Sequence, residues 1–325
     1  MSEYKWACIG CGHIANEMAQ AFEEKGRHFY GVYSRTRNKA DDFAKHYGIN
    51  KVYNTADELF ADDEIDIVYI ATPHNRHIEY ILKSAQSKKH ILCEKAITLN
   101  SEELSLAKTA CDNNAVILAE AMTVYHMPVY KKAKEYIENG RLGKLKLIEV
   151  NLGSNKEYDM TSRFFSKDLA GGAMLDIGVY ALSFVRNFFT KTADDVKSSV
   201  KLAPTGVDEQ AVMLLSNSFG EMAGVTLSLT AKLPRTAVAS FENGYIEFEN
   251  YNRSRCARIT FLDSGEVLTF ESEDVSPLVY EIEDMEKAVD GDETIMHFDF
   301  TADVMDIMTN ERRKWKVIYP EGINN

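Results

Sequence analysis

From Trp6 to Ala119, apolar residues come as short unbroken runs separated by stretches in which they recur every three or four positions. That is the pattern of buried strands alternating with amphipathic helices. Trp6-Ala7-Cys8-Ile9 is the first run, and Ile14, Met18, Ala19 and Phe22 then follow at helical spacing until Gly26 stops the helix. His28 to Tyr33 reads as a second strand, Asn38 to Tyr47 as a helix, and Ile65 to Ala71 as a third strand ending in Thr72-Pro73. A helix from about Asn75 to Ser84, a strand His90 to Cys93, a helix Ser101 to Asn113 and a strand Ala115 to Ala119 continue the alternation. This order predicts a parallel sheet with helices on both faces. Right-handed crossovers bring the strand ends, at Gly10, Ser34, Thr72, Glu94 and Glu120, to one edge of that sheet, where ligands bind.

Beyond Pro128 the pattern changes. A helix runs to Glu138, Asn139-Gly140 stops it, and Lys144 to Gly153 begins a strand region. Residues 154–170 are polar and aromatic without a clear period, the character of a substrate loop. A helix is expected from Ala173 to Phe188. Runs of strand formers follow at Ser198–Leu202, Glu209–Leu215, Glu221–Thr230, Thr236–Phe241, Tyr245–Glu249, Arg258–Leu262 and Val267–Phe270, with turn signals at Asn243-Gly244 and Asp263-Ser264-Gly265. Helices near Pro277–Val289 and His297–Asn310 and a strand Lys314–Tyr319 complete the chain. The expected architecture is α/β in residues 1–123 and, in residues 124–325, a second α+β domain with a large open, mostly antiparallel sheet. Helices would cover one face of that sheet. Val225, Leu227 and Leu229 are expected to leave the other apolar enough to pair with a second subunit.

The first strand-to-helix turn carries the chemistry. In Gly10-Cys11-Gly12-His13-Ile14-Ala15, Gly10 permits a tight exit from the strand, Gly12 lets the backbone approach a pyrophosphate, and small Ala15 stands where a third glycine packs helix on strand. An anion held there meets free N–H groups and the positive end of the helix. Followed by another strand within about thirty residues, this is the turn of a doubly wound, Rossmann-type dinucleotide domain. At 325 residues two domains are the natural division, and 45% hydrophobic with 27% charged residues is a globular composition. A net charge of −13 argues against nucleic acid as a partner. No apolar run near eighteen residues and no cleavable leader pattern is evident, so the expectation is a cytoplasmic protein without membrane association. The five cysteines are odd in number and suit reduced thiols. Cys8 and Cys11 form a C-x-x-C with no second pair, and His74 and His77 lack a third ligand in reach, so no metal is expected.

The end of the second strand selects the nucleotide. An NAD site places a carboxylate there for the ribose 2′-hydroxyl, whereas a 2′-phosphate needs donors or cations. The chain has Tyr33-Ser34-Arg35-Thr36-Arg37, which points to NADP with NAD left open. Arg35 can also stack on adenine, and Arg37 or Lys39 can add charge.

Four ordered stretches, Gly10 to Ala15, Ala71-Thr72-Pro73-His74-Asn75-Arg76-His77, Cys93-Glu94-Lys95, and Gly171 to Tyr180 with its Asp176-Ile177-Gly178-Val179-Tyr180, resemble the successive signatures of the Gfo/Idh/MocA oxidoreductases. The last looks closest to the dimeric dihydrodiol dehydrogenase and glucose-fructose oxidoreductase branch. The resemblance implies that cofactor lies along Gly10, Gly12, His13, Ile14, Ser34, Arg35, Thr36, Thr72, Pro73, Asn75, His77, Glu94 and Lys95. It also implies that Lys95 and Tyr180 face the substrate, and that the protein forms a homodimer or homotetramer. The chemistry agrees: one group must exchange a proton with the substrate oxygen while hydride moves, and a neighbouring ammonium brings a phenol closer to neutrality. Whether Tyr180 or Lys95 transfers the proton stays open. Asp176, four residues before Tyr180, shares its helical face and would orient the substrate hydroxyl or the lysine. Arg163 is a candidate for a substrate hydroxyl or a cofactor phosphate, and Tyr125 for the place of an arginine that relatives carry. The expected substrate is a sugar, cyclic polyol or trans-dihydrodiol, with a non-catalytic dinucleotide-binding regulator as the second reading. Ala96 stands where relatives have a proline after the lysine, often through a cis bond that alanine would disfavour by about 3 kcal/mol.

Overall fold

The computed structural model describes residues 4–320. They divide into two compact units, residues 4–121 with 275–298, and residues 122–274 with 299–320.

The first unit alternates as expected: β1 Trp6–Ile9, α1 His13–Glu24, β2 Gly31–Tyr33, α2 Arg37–His46, β3 Lys51–Val52, α3 Ala56–Phe60, β4 Ile67–Ile70, α4 His77–Gln86, β5 His90–Glu94, α5 Ser101–Asn113 and β6 Leu118–Ala121. All neighbouring strands are parallel, in the order β3-β2-β1-β4-β5-β6. β1 and β4 are buried along their whole length, which is why both read as unbroken apolar runs. β3 and α3 were not expected. With two and five residues they are too short for any periodicity to show.

In the second unit the chain forms α6 Thr123–His126, α7 Pro128–Glu138, β7 Leu145–Gly153 and, after the loop, a π-helical turn Met174–Gly178 running into α8 Val179–Phe188. Seven strands follow: β8 Asp195–Leu202, β9 Asp208–Ser216, β10 Met222–Ser228, β11 Thr236–Phe241, β12 Gly244–Glu249, β13 Cys256–Phe261 and β14 Val267–Glu271. The eight-stranded sheet runs β14-β13-β12-β11-β7-β10-β9-β8 and is antiparallel except where β10 lies parallel to β7, Val225 opposite Val150. Residues 167–188 have the length and mean hydropathy, 1.3, of a membrane span, but 83% of the apolar stretch is buried inside the protein.

Three expectations are corrected. Val225, Leu227 and Leu229 point into the core; the apolar residues on the open face are Leu147, Val212, Leu214 and Met222. Leu214 lies opposite Gly224, and Met222 opposite Leu147, so these four sit on neighbouring strands of one patch. Residues 314–319 are not a strand. The last helix, α10 Phe298–Lys314, spends the following N–H groups on its own end: Trp315 N–H donates to Glu311 O, Lys316 to Arg313 O and Val317 to Arg312 O, with Lys316 at φ 61. The alternation of Trp315, Val317 and Tyr319 reflects burial, not pairing. Finally, α9 Pro277–Val289, expected in the second domain, belongs to the first unit. Its Leu278, Ile282 and Met285 share a core with Trp6, Met18 and Phe22, and Glu286 accepts from Trp6 Nε1 at 2.9 Å.

Candidate active site

The first unit has a crevice at the carboxyl ends of β1, β2 and β4, lined among others by Gly10, Gly12, Ser34, Arg35, Thr36, Lys39, Thr72, Pro73 and Arg76. It lies where strand order turns back on itself between β1 and β4, the place a doubly wound sheet offers a ligand. Gly10 is compelled twice over: its φ is 107, and a Cβ there would sit 2.3 Å from the Ala71 carbonyl oxygen at the end of β4. Gly12 is different. Its φ is −81 and a Cβ would meet nothing within 4 Å, so no protein contact demands glycine, and the room stays open to a ligand. The start of α1 has no side-chain cap and no acidic residue in its first turn, which leaves its N–H groups for an anion. Thr72 adds a buried hydroxyl Oγ1 without a hydrogen-bond partner among the described residues. These features fit a dinucleotide pyrophosphate and ribose.

At the end of β2, Arg35 and Lys39 are exposed and their side chains make no hydrogen bond or ion pair among the described residues, whereas Arg37 is committed to Asp41 at 2.8 Å. Lys39, not Arg37, is therefore the second cation available. His13 is also exposed and pairs with Glu17 at 2.9 Å, so it and Ile14 would meet an anion through their backbone N–H groups. The sequence offered Lys39 as an alternative to Arg37, whereas Arg76 was given no role from sequence. Arg76 stands one residue after Asn75 in the motif and pairs with Glu79 at 2.5 Å.

Behind the crevice the motif residues brace one another. His77 is fully buried, its Nδ1 3.0 Å from Ala96 O and its Nε2 2.8 Å from Thr72 O, and burial holds its pKa below the usual value. It ties the end of β4 to the turn after β5, and both ring nitrogens are engaged by the protein. His74 Nε2 lies 3.1 Å from Lys95 O. Glu94 accepts from the Tyr69 hydroxyl at 2.6 Å and from the Lys95 N–H at 3.3 Å, while burial and that carboxylate push the Tyr69 phenol well above its ordinary range. Glu120 accepts from Ile97 N–H at 3.0 Å. The peptide bond Lys95–Ala96 is cis without a proline. Cys8 and Cys11 are raised by burial, Cys11 to about 11, and so stay protonated thiols at neutral pH.

The second unit carries the other residues nominated from sequence. Asp176 occupies the middle of the π turn, a feature often found where function needs a helix locally reshaped. Arg163 Nη1 approaches Asp176 Oδ1 at 3.6 Å while its guanidinium lies 4.3 Å from the Phe164 ring centre. The loop that carries Arg163 is held by Tyr158, whose hydroxyl donates to the buried Glu209 at 2.6 Å. Tyr180, half-buried, stands close enough to Tyr251 to add to the rise in that phenol's pKa, of which burial is the main cause. Tyr125 is only 2% exposed and packs edge-on to Phe300 and His126, so its environment is that of a core aromatic.

A parallel sheet with an anion-binding glycine turn at its switch point, joined to an open-sheet unit with a polar loop and helix, defines a two-domain dinucleotide-dependent oxidoreductase. The chain belongs to the Gfo/Idh/MocA family: the model of the oxidoreductase family with NAD-binding Rossmann fold matches residues 4–122, and that of the family's C-terminal domain matches 130–247. A trans-1,2-dihydrobenzene-1,2-diol dehydrogenase of Xenopus tropicalis is 31% identical over 248 residues, 75% of this chain and 74% of that one. The human protein of the same name is 28% identical over 251 residues, 76% of this chain and 74% of its own. Among solved structures, a variant of a 3-ketoreductase from Actinomadura kijaniata in complex with TDP-benzene and NADP superposes with TM-score 0.83 at 18% identity, covering 96% of this chain and 98% of that one. An aldose-aldose oxidoreductase from Caulobacter crescentus complexed with glycerol gives 0.83 at 19% identity with the same coverage.

Proposed function

We propose that the protein is an NADP-dependent dehydrogenase or reductase that interconverts a secondary alcohol and a carbonyl on a sugar, cyclic polyol or trans-dihydrodiol. The observation that carries this reading is the crevice at the end of β1 and β2. Uncapped N–H groups, open space at Gly12 and the unpartnered Thr72 hydroxyl suit the nucleotide, while Arg35 and Lys39, with no carboxylate placed for a 2′-hydroxyl, favour a 2′-phosphate. The dihydrodiol dehydrogenase relatives and the NADP-bound 3-ketoreductase support the same substrate and nucleotide classes.

Bound nicotinamide would supply or accept the hydride. The chain's own groups handle the proton and the orientation. Lys95 and Tyr180 exchange the proton with the substrate oxygen, the ammonium favouring the phenolate. Asp176 and Arg163 form an acceptor and donor pair suited to neighbouring hydroxyls of a polyhydroxylated substrate.

Titration of the purified protein with NADPH and NADH, followed by fluorescence, and a screen of sugars, polyols and dihydrodiols for absorbance change test this reading. Oxidation of an alcohol in the panel with NADP+, or reduction of a carbonyl with NADPH, supports it, binding of neither nucleotide overturns it, and binding without turnover moves the assignment to a regulator. Arg35→Ala is expected to weaken NADPH about tenfold, the worth of one lost charge-assisted contact, while leaving NADH within twofold.

The apolar patch of Leu147, Val212, Leu214 and Met222 supports a homodimer or homotetramer formed through the open sheet face. Leu214→Glu places a charge in that patch and is expected to shift the protein to monomer in sedimentation. An unchanged mass would remove the sheet face as the interface.

A further inference from the structure

We propose that Asp208 is a positioning residue for Asp176 and Tyr180, holding the first turn of their helix from a neighbouring strand. The inference rests on the reading that those two residues serve the reaction.

The helix that bears them starts without a side-chain cap of its own. Its first N–H groups would be orphaned inside the protein, which costs free energy unless an acceptor arrives from elsewhere. The acceptor comes thirty-four positions later in the chain, from the start of β9: Met174 N–H donates to Asp208 Oδ2 at 2.5 Å. The Ala173 N–H also favours the anionic form of that carboxylate, which is fully buried. A negative charge at a helix start interacts well with the helix dipole, so the contact is stronger than a neutral cap.

The surroundings are shaped to admit it. Gly172, at φ 123, passes so close that a Cβ would lie 2.4 Å from Asp208 Oδ1. Gly171 is as tightly placed, 2.7 Å from the Phe164 carbonyl oxygen by the same measure, and its own carbonyl accepts from the buried Tyr319 hydroxyl. Asp208 thus closes a clasp whose other parts are a glycine pair and Tyr319. Asp176 is two residues beyond the held N–H, inside the π turn, and Tyr180 follows four later. A shift at Met174 would move both, and displacement by about 1 Å can cost a hundredfold in rate.

The clasp is also sensitive to pH. Burial pushes the Asp208 carboxyl up to about 6, against the pull of the N–H groups and of Arg312 in α10. Among the described residues, the charged and titratable side chains that act on it are Arg312 and the Tyr319 phenol. Because the folded pKa is raised, the fold gains stability from this group as pH falls through 6 and loses it as pH rises. Positioning runs the other way: protonation below pH 6 removes the charge-assisted acceptor.

Asp208→Asn keeps shape and an acceptor oxygen but no charge. Expected are a kcat about tenfold or more lower, NADPH affinity within twofold of wild type, loss of the acid limb near pH 6 in kcat, and faster amide hydrogen exchange across residues 173–180 at fixed pH. Normal kcat with the acid limb intact overturns the proposal, as does unchanged exchange. The exchange readout needs no substrate, so a failure to find any turnover in the wild type would count against the proposed function and leave this test standing.

Discussion

Lys95→Met is expected to lower turnover by about a hundredfold to ten-thousandfold, the usual worth of a general acid or base, while NADPH still binds within a few-fold of wild type. The side chain projects from a backbone that is held on both sides. Glu94 accepts from its N–H and His74 sits on its carbonyl, so methionine changes the charge without releasing the turn. Tyr180→Phe should fall in the same range, since it removes only the hydroxyl. The double variant should be no slower than the worse single one, because groups that act as a unit are not additive. Stopped-flow and steady-state rates with the substrate found in the screen decide it. A Lys95→Met protein turning over at the normal rate would end the proposed mechanism.

Gly10→Ala and Gly12→Ala should part company completely. At Gly10 a methyl group meets the Ala71 carbonyl at 2.3 Å on a backbone that L residues rarely adopt. The left-handed conformation alone costs about 1 to 2 kcal/mol, and moving β4 aside adds packing loss of about 1 to 3 kcal/mol. The urea midpoint should fall markedly and nucleotide binding should fail with it. At Gly12 the methyl group meets nothing, so stability should hold within about 0.5 kcal/mol. NADPH binding should nevertheless weaken by an order of magnitude or more, because the methyl fills the approach left for the pyrophosphate. Equal loss of stability in both variants would show that Gly12 is structural.

The sequence was legible where burial imposes a strict period. β1, β4 and β5 are wholly or almost wholly buried and read as runs; β9 to β13 alternate because one face of their sheet is covered. Legibility failed where the deciding contact is distant. The amphipathic stripe of α9 announces a helix, but nothing in it tells whether Leu278 and Ile282 meet the core of the first unit or the second. Trp315, Val317 and Tyr319 alternate like a strand while their backbone closes a helix end. Val225 and its neighbours showed that a face was apolar, not which face was open. In the candidate site, the glycine turn and the Arg35 loop could be placed at one crevice because both are short stretches that follow neighbouring strands of the sheet. His77 and Glu94 were expected along the cofactor, and their side chains have partners within the protein that the motif alone does not reveal, since those partners lie on other turns and strands. Asp208 escaped notice altogether, as its partner Met174 lies 34 residues away and it occupies one end of an ordinary strand.

The return of α9 to the first unit sets a timetable for the newborn chain. When Ala121 leaves the ribosome, all six strands of the parallel sheet exist, yet the flank made by Trp6, Met18 and Phe22 still lacks Leu278, Ile282 and Met285. About 150 residues, the body of the second unit, must be made before that cover arrives. At roughly 5 to 20 residues per second this takes about 8 to 30 s. The nucleotide domain therefore cannot be finished first and set aside. It waits, partly uncovered, while its successor is synthesised, and a protein cut after Ala121 would carry that exposed flank permanently.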